Sequence, residues 1–209
     1  MNQEKTQKLI KYSVLIYQGQ RDGLNCNQFW NNVDGKGNLL MVFRSKSNHI
    51  FQAYSPCVWK LCDHGTYGED ITISLFVISQ THNFIYPLKQ EYKSYAIHCN
   101  KNWGPIFGCD FDLLINGDFT TGFSIFGRAY EFDQYKYGKD DPYLYGQNSQ
   151  EINECEIYEL QFVLIDIFMK KNSQKPIFEF RMLNKKKLNL KIIFKMNLLV
   201  RETLYFLFS

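Results

Sequence analysis

The side chains best suited to chemistry in this 209-residue chain are thiols and carboxylates. Cys57, Cys62 and His64 form a C-x4-C-x-H run of soft ligands. Zinc favours four such ligands in a tetrahedron. The chain has no C-x-x-C pair and no second cluster at zinc-like spacing, so structural thiols and no bound metal are expected. A redox-sensing thiol needs exposure and a lowered pKa. Cys62 beside His64 is the most suggestive case, whereas Cys26, Cys99 and Cys155 lie in apolar or helical settings and read as core. Asp110 and Asp112 flank Phe111. On a strand they would share a face, and two carboxylates across a cleft could serve hydrolysis. The competing reading is that Asp112 orders the Gly-Pro-containing turn before its strand. Asp140-Asp141 reads as loop. There is no G-x-S-x-G elbow and no phosphate-cradling glycine loop. No catalytic residue and no cofactor are expected.

These residues need elements to hold them. Lys8–Gln18 has strand character, and Arg21-Asp22-Gly23 supplies turn chemistry. Asn25 or Asn27 can cap a short helix reaching Val33, with Phe29, Trp30 and Val33 as its apolar contacts. Asp34-Gly35-Lys36-Gly37 ends it. Short strands are then expected at Leu39–Arg44, His49–Tyr54, Ile71–Ser79, Phe84–Leu88, Tyr95–Cys99, Leu113–Asn116 and Glu154–Phe162, with turn signals between several of them. Asn100–Gly108 reads as a rigid loop with Trp103 partly buried. Asp118–Gly146 reads mainly as loop, with an ordered piece near Phe123–Tyr130. This spacing predicts an antiparallel two-sheet β-sandwich, mainly β with short flanking helices. The fourteen Tyr and eighteen Phe suit such half-buried pleated surfaces.

Charge divides the chain. Residues 1–162 carry 14 Lys and Arg against 18 Asp and Glu, while residues 163–209 carry 10 against 3. An acidic body is a poor match to nucleic acid. The opening residues lack the pattern of a secretory signal, so free thiols and a cytoplasmic setting are expected. No run approaches the roughly 18 apolar residues of a membrane span. The basic tail, with Lys185-Lys186-Lys187, is suited to anionic surfaces, or it is a solvated extension.

The residues from Leu15 to Lys60 resemble the opening of TLDc domains. Arg21, Asp22, Gly23, Phe29, Asp34, Lys36, Gly37, Ile50, Phe51, Tyr54 and Trp59 carry the match. SLFVIS at 74–79 and AIHCNKNWGPIFGCDFDLLI at 96–115 resemble later family segments, through Asn100, Gly104, Pro105, Phe107, Gly108, Asp112 and Leu113. CEIYEL at 155–160 resembles the closing strand. Gln20, Trp30, Val33, Gln52-Ala53 and Cys109 depart from the family pattern.

The resemblance implies a lead-in at 1–13, a TLDc-like β-sandwich at 14–162 and an extension at 163–209. It also implies a non-enzymatic interaction domain that binds the vacuolar-type proton-pumping ATPase (V-ATPase) or supports oxidative-stress resistance. Such a domain would be cytoplasmic and peripheral to a membrane-bound complex. Arg21, Asp22 and Trp103 are the partner-binding candidates. Gly23, Asp34, Gly37, Asn100, Gly104, Pro105, Gly108 and Asp112 form the structural turn motif. The alternatives are a structural component of a large assembly, or a carbohydrate-binding, small-ligand or hydrolytic sandwich using Asp110 and Asp112.

Overall fold

A continuous apolar run, Leu39–Phe43, builds a central strand. On β2 (Leu39–Ser45), Leu39, Met41 and Phe43 turn inward and are buried, because successive strand side chains point to opposite faces. The neighbouring β3 (Ile50–Ser55) answers in register, with Met41 opposite Ala53 and Phe43 opposite Phe51. The last two rings stack with centroids 4.9 Å apart.

A computed structural model describes residues 5–70, 76–79, 84–132, 144 and 151–167. Around β2 and β3 it adds β1 (Lys5–Gln18), β5 (Phe76–Ser79), β6 (Phe84–Pro87) and β11 (Ile152–Ile167). These six strands form one sheet in the order β1-β11-β2-β3-β5-β6. The second sheet holds β4 (Thr66–Gly68), β7 (Ile97–Cys99), β8 (Trp103–Phe107), β9 (Leu113–Asn116) and β10 (Gly122–Ser124), in the order β10-β9-β8-β7-β4. The registers defined among the described residues are antiparallel. Residues 13–160 make one compact unit. The described residues 5–12 and 161–167, the outer parts of β1 and β11, belong to a second unit.

Within the 13–160 unit the core lies between the sheets. Met41, Phe43, Phe51 and Ala53 come from one side, and Ile97, Cys99, Phe107, Leu113 and Ile115 from the other. Burying each large apolar side chain contributes roughly 1.5–3 kcal/mol. The sandwich and its antiparallel order match the expectation from sequence.

Several details differ. Trp103–Phe107 is a strand rather than a loop. Gly104-Pro105 hid it, since proline is confined to edges and bulges, and here the ladder shifts register between Trp103 and Ile106. A 3-10 turn at Gln90–Tyr95 takes the start of the strand expected at Tyr95–Cys99. Arg21-Asp22 lies in a four-residue helix, α1 (Gly19–Asp22), which no periodicity could reveal. Strand β1 begins at Lys5 and β11 continues to Ile167. Residues 71–75 of the expected Ile71–Ser79 strand, Asp140-Asp141 and Lys185-Lys186-Lys187 lie outside the described residues.

Candidate recognition face

Helix α2 (Cys26–Val33) is the peg on which one end of the sandwich hangs. Asn25 caps it, its side-chain oxygen accepting the Gln28 amide at 3.0 Å. Phe29, Trp30 and Val33 are buried. Phe29 meets Tyr17, Trp30 and Trp59 edge-on. The Trp30 indole N–H donates to the carbonyls of Asn100 at 3.1 Å and Trp103 at 2.9 Å. The Cys26 amide donates to Gly117 at 2.6 Å. One helix thus fixes two connections of the five-stranded sheet.

Next to it lies the loop of residues 56–65. Asp34 accepts the Leu61 amide at 2.7 Å. Trp59 joins the backbone after the helix at both its N–H and its carbonyl, to Lys36 and Gly35 at 2.8 Å each. The Lys101 amide donates to Cys62 at 2.9 Å, and Lys101 pairs with Asp63 at 2.9 Å. Asn100 folds its own turn by accepting the Asn102 amide at 3.0 Å. Loops 56–65 and 100–103 therefore form one braced surface. It exposes Val58 (58%), Leu61 (48%) and Trp103 (38%). Gly37 sits beneath it against the Pro56 and Cys57 carbonyls, and Pro105 is buried. At Gly104 a Cβ would stand 3.0 Å from the Ile115 carbonyl and 3.1 Å from the Phe119 ring, so bare backbone is needed.

Arg21, Asp22 and Gly23 occupy the turn before α2. Asp22 accepts the Gln18 amide at 2.9 Å and grips Arg21 through two bonds of 2.7 Å. Arg21 and then the Gln18 amide hold the Asp22 carboxyl down at about 2. Gly23 takes a left-handed φ of +99°, and its carbonyl accepts the Tyr17 hydroxyl at 2.8 Å. Buried Glu154, from β11, accepts the Gln20 amide at 3.2 Å. The turn is bonded locally, and the Arg21 side chain remains half exposed.

Asp110 and Asp112 do not lie on a strand. Phe111 between them has a φ of +63°, and the segment is a turn, so the shared-face expectation fails there. Asp110 is exposed and pairs with Arg128. Buried Asp112 accepts the amides of Arg128, Ala129 and Tyr130 at 3.1–3.2 Å. It therefore orders the 128–130 loop rather than the Gly-Pro segment. Burial pushes its carboxyl above the ordinary value, against the pull of the three amides. A Cβ at Gly108 would sit 2.2 Å from an Asp112 oxygen, and φ there is +85°.

All six cysteines are free thiols. Burial pushes Cys57 up to about 11 and Cys99 up to about 12. His64 is exposed. Among the described residues no group of three His, Cys, Asp or Glu could hold a metal ion.

Sequence reasoning missed the indole bridge of Trp30, the Glu154 contact and the exposed Val58 and Leu61. Trp30 was read as an apolar contact of the helix and as a departure from the family pattern, and its hydrogen-bond partners lie 70 and 73 residues away. The comparison with curated proteins finds no match. A family model described as the TLDc domain matches residues 2–161, and its span closes with the strand that carries Glu154. The chain belongs to the TLDc domain family.

Proposed function

We propose that this domain acts by protein recognition, without catalysis, as a regulator that binds the V-ATPase. Support for oxidative-stress resistance would follow from that role. One observation carries the reading. Loop 100–103, anchored by the buried Trp30 indole, and loop 56–65, tied to it through Lys101, hold Trp103, Leu61 and Val58 exposed. Loops on a rigid scaffold are the usual place for binding function, and a fixed aromatic with apolar neighbours makes an effective interface anchor. An interface of roughly 1,200–2,000 Å² would suffice. Preference for one assembly state of a rotary pump would shift its population by the difference in affinity.

The chemistry of Asp110 and Asp112 favours this reading over hydrolysis. One carboxylate is committed to three backbone amides and the other to Arg128. Among the described residues no helix is long and apolar enough to cross a membrane.

The test is binding of the purified chain to the purified V-ATPase by interferometry. Trp103→Ala and Leu61→Ala each should weaken binding about 10-fold or more, since hot-spot truncations cost about 1.4 kcal/mol or above. Arg21→Ala measures the second candidate surface. No binding by the unaltered chain, where another TLDc protein binds, overturns the reading.

A further inference from the structure

We propose that Cys62 and Cys99 form a disulfide when a hydroperoxide oxidises the chain, fastening loop 56–65 to strand β7. The two residues are already laid side by side. The Cys62 thiol donates to the Cys99 carbonyl at 2.8 Å, and the Cys62 carbonyl accepts from Lys101 at 2.9 Å. The Cys62 sulfur thus lies against the Cys99 backbone, while the backbone bond is made to Lys101, two residues further along the chain. A disulfide spans about 4.4–6.8 Å between α-carbons, a span open to a thiol that already touches its partner's backbone. Both side chains belong to the same packed cluster, Cys99 within it and Cys62 at its border.

Their exposures differ in the way such a pair requires. Cys62 is half-buried, so a small peroxide can reach it. Cys99 is buried, and burial followed by the nearby Cys62 and Cys57 thiols holds it protonated. Cys57 is the competing partner, but it is buried too, and its thiol donates to the Glu69 carbonyl at 3.4 Å. The strand register sets Thr66 opposite Cys99 and Gly68 opposite Ile97. A Cβ built on Gly68 would touch the Cys57 β-carbon at 3.4 Å, which places Cys57 nearer Ile97 than Cys99.

The chemistry balances in two steps. The Cys62 thiolate attacks one peroxide oxygen, the O–O bond breaks, and a sulfenic acid and hydroxide result. The Cys99 sulfur then attacks the Cys62 sulfur, the S–S bond forms, and the S–OH bond breaks. Hydroxide leaves and takes the Cys99 proton as water. Two thiols are oxidised and one peroxide is reduced to two waters, counting the proton first released by Cys62. Both steps run through a thiolate, so linkage quickens as pH rises.

The bond does not depend on the identity of any partner, so its test is separate from the pump-binding test. The native chain is treated with equimolar hydrogen peroxide, remaining thiols are alkylated, and tryptic peptides are analysed by mass spectrometry. Trypsin places Cys57 in residues 47–60, Cys62 in 61–89 and Cys99 in 94–101. The expected product is peptide 61–89 linked to 94–101, sensitive to reductant. It should be retained in Cys57→Ser, lost in Cys62→Ser, and more abundant at pH 9 than at pH 7. Any of three results overturns the proposal: no linked peptide, a link to 47–60 instead, or Cys62 carried to sulfinic acid while Cys99 stays alkylatable.

Discussion

Asp22 and Asp112 do the same local work in opposite surroundings. Each orders a turn by accepting backbone amides near an arginine: Asp22 takes one amide and grips Arg21, while Asp112 takes three and leaves Arg128 to Asp110. The first is only partly buried and its carboxyl is held down at about 2. The second is buried and its carboxyl is pushed up, although it has more amide donors. Desolvation thus outweighs three hydrogen bonds to the charged form. A buried carboxylate is hard to keep charged and hard to replace, whereas a surface one is easy to charge and worth little.

Substitution should widen that contrast. Asp112→Ala strands three amides near the core, two of them buried, and each orphaned donor costs about 1–3 kcal/mol. We expect a total loss of about 3–5 kcal/mol in a urea melt, with the 128–130 amides exchanging fastest. A loss below about 1 kcal/mol would mean that the loop has other support.

Trp30→Phe falls between the two aspartates. It keeps an aromatic ring but loses indole volume at a buried site and strands the Asn100 and Trp103 carbonyls, for about 1–3 kcal/mol. Hydrogen exchange in loop 100–103 should rise with it.

Asp22→Ala should cost about 1 kcal/mol or less, and less still in high salt, because surface pairs are screened. A salt-independent loss would place the Arg21–Asp22 pair in a drier setting than the structure gives it.

The pH dependence of the two sites has opposite signs. The folded pKa of Asp22 is depressed, so its contribution is present above the ordinary value of 3.8 and is lost as pH falls towards about 2. The Asp22→Asn penalty should therefore shrink in acid. The folded pKa of Asp112 is raised, so its contribution is complete below the ordinary value and declines as pH rises through the folded one. The Asp112→Asn penalty should be larger at pH 3 than at pH 7.

The sequence made the strands legible where an apolar run is bounded by turn residues, as in Leu39–Ser45, and it offered Asn25 as a cap because cap chemistry is local. It did not reveal β8, where Gly104-Pro105 breaks the pattern of a strand. It singled out Asp112 but gave it the wrong client, since the amides it serves lie 16–18 residues downstream. The role of Trp30 was equally invisible. A tryptophan on a helix reads as core, and only the fold brings two distant carbonyls to its N–H. Short-range chemistry is written in the sequence, and the bracing of one loop by another is not.

The proposed recognition by the braced loops turns on Trp103. The measurement is the affinity of the Trp103→Ala chain for the purified V-ATPase, taken alongside its melting temperature. The Kd should rise about 10-fold or more while the melting temperature moves by no more than about 4 °C, the shift expected for about 1 kcal/mol in a domain of this size. Unaltered affinity in a folded Trp103→Ala chain would contradict that role for Trp103.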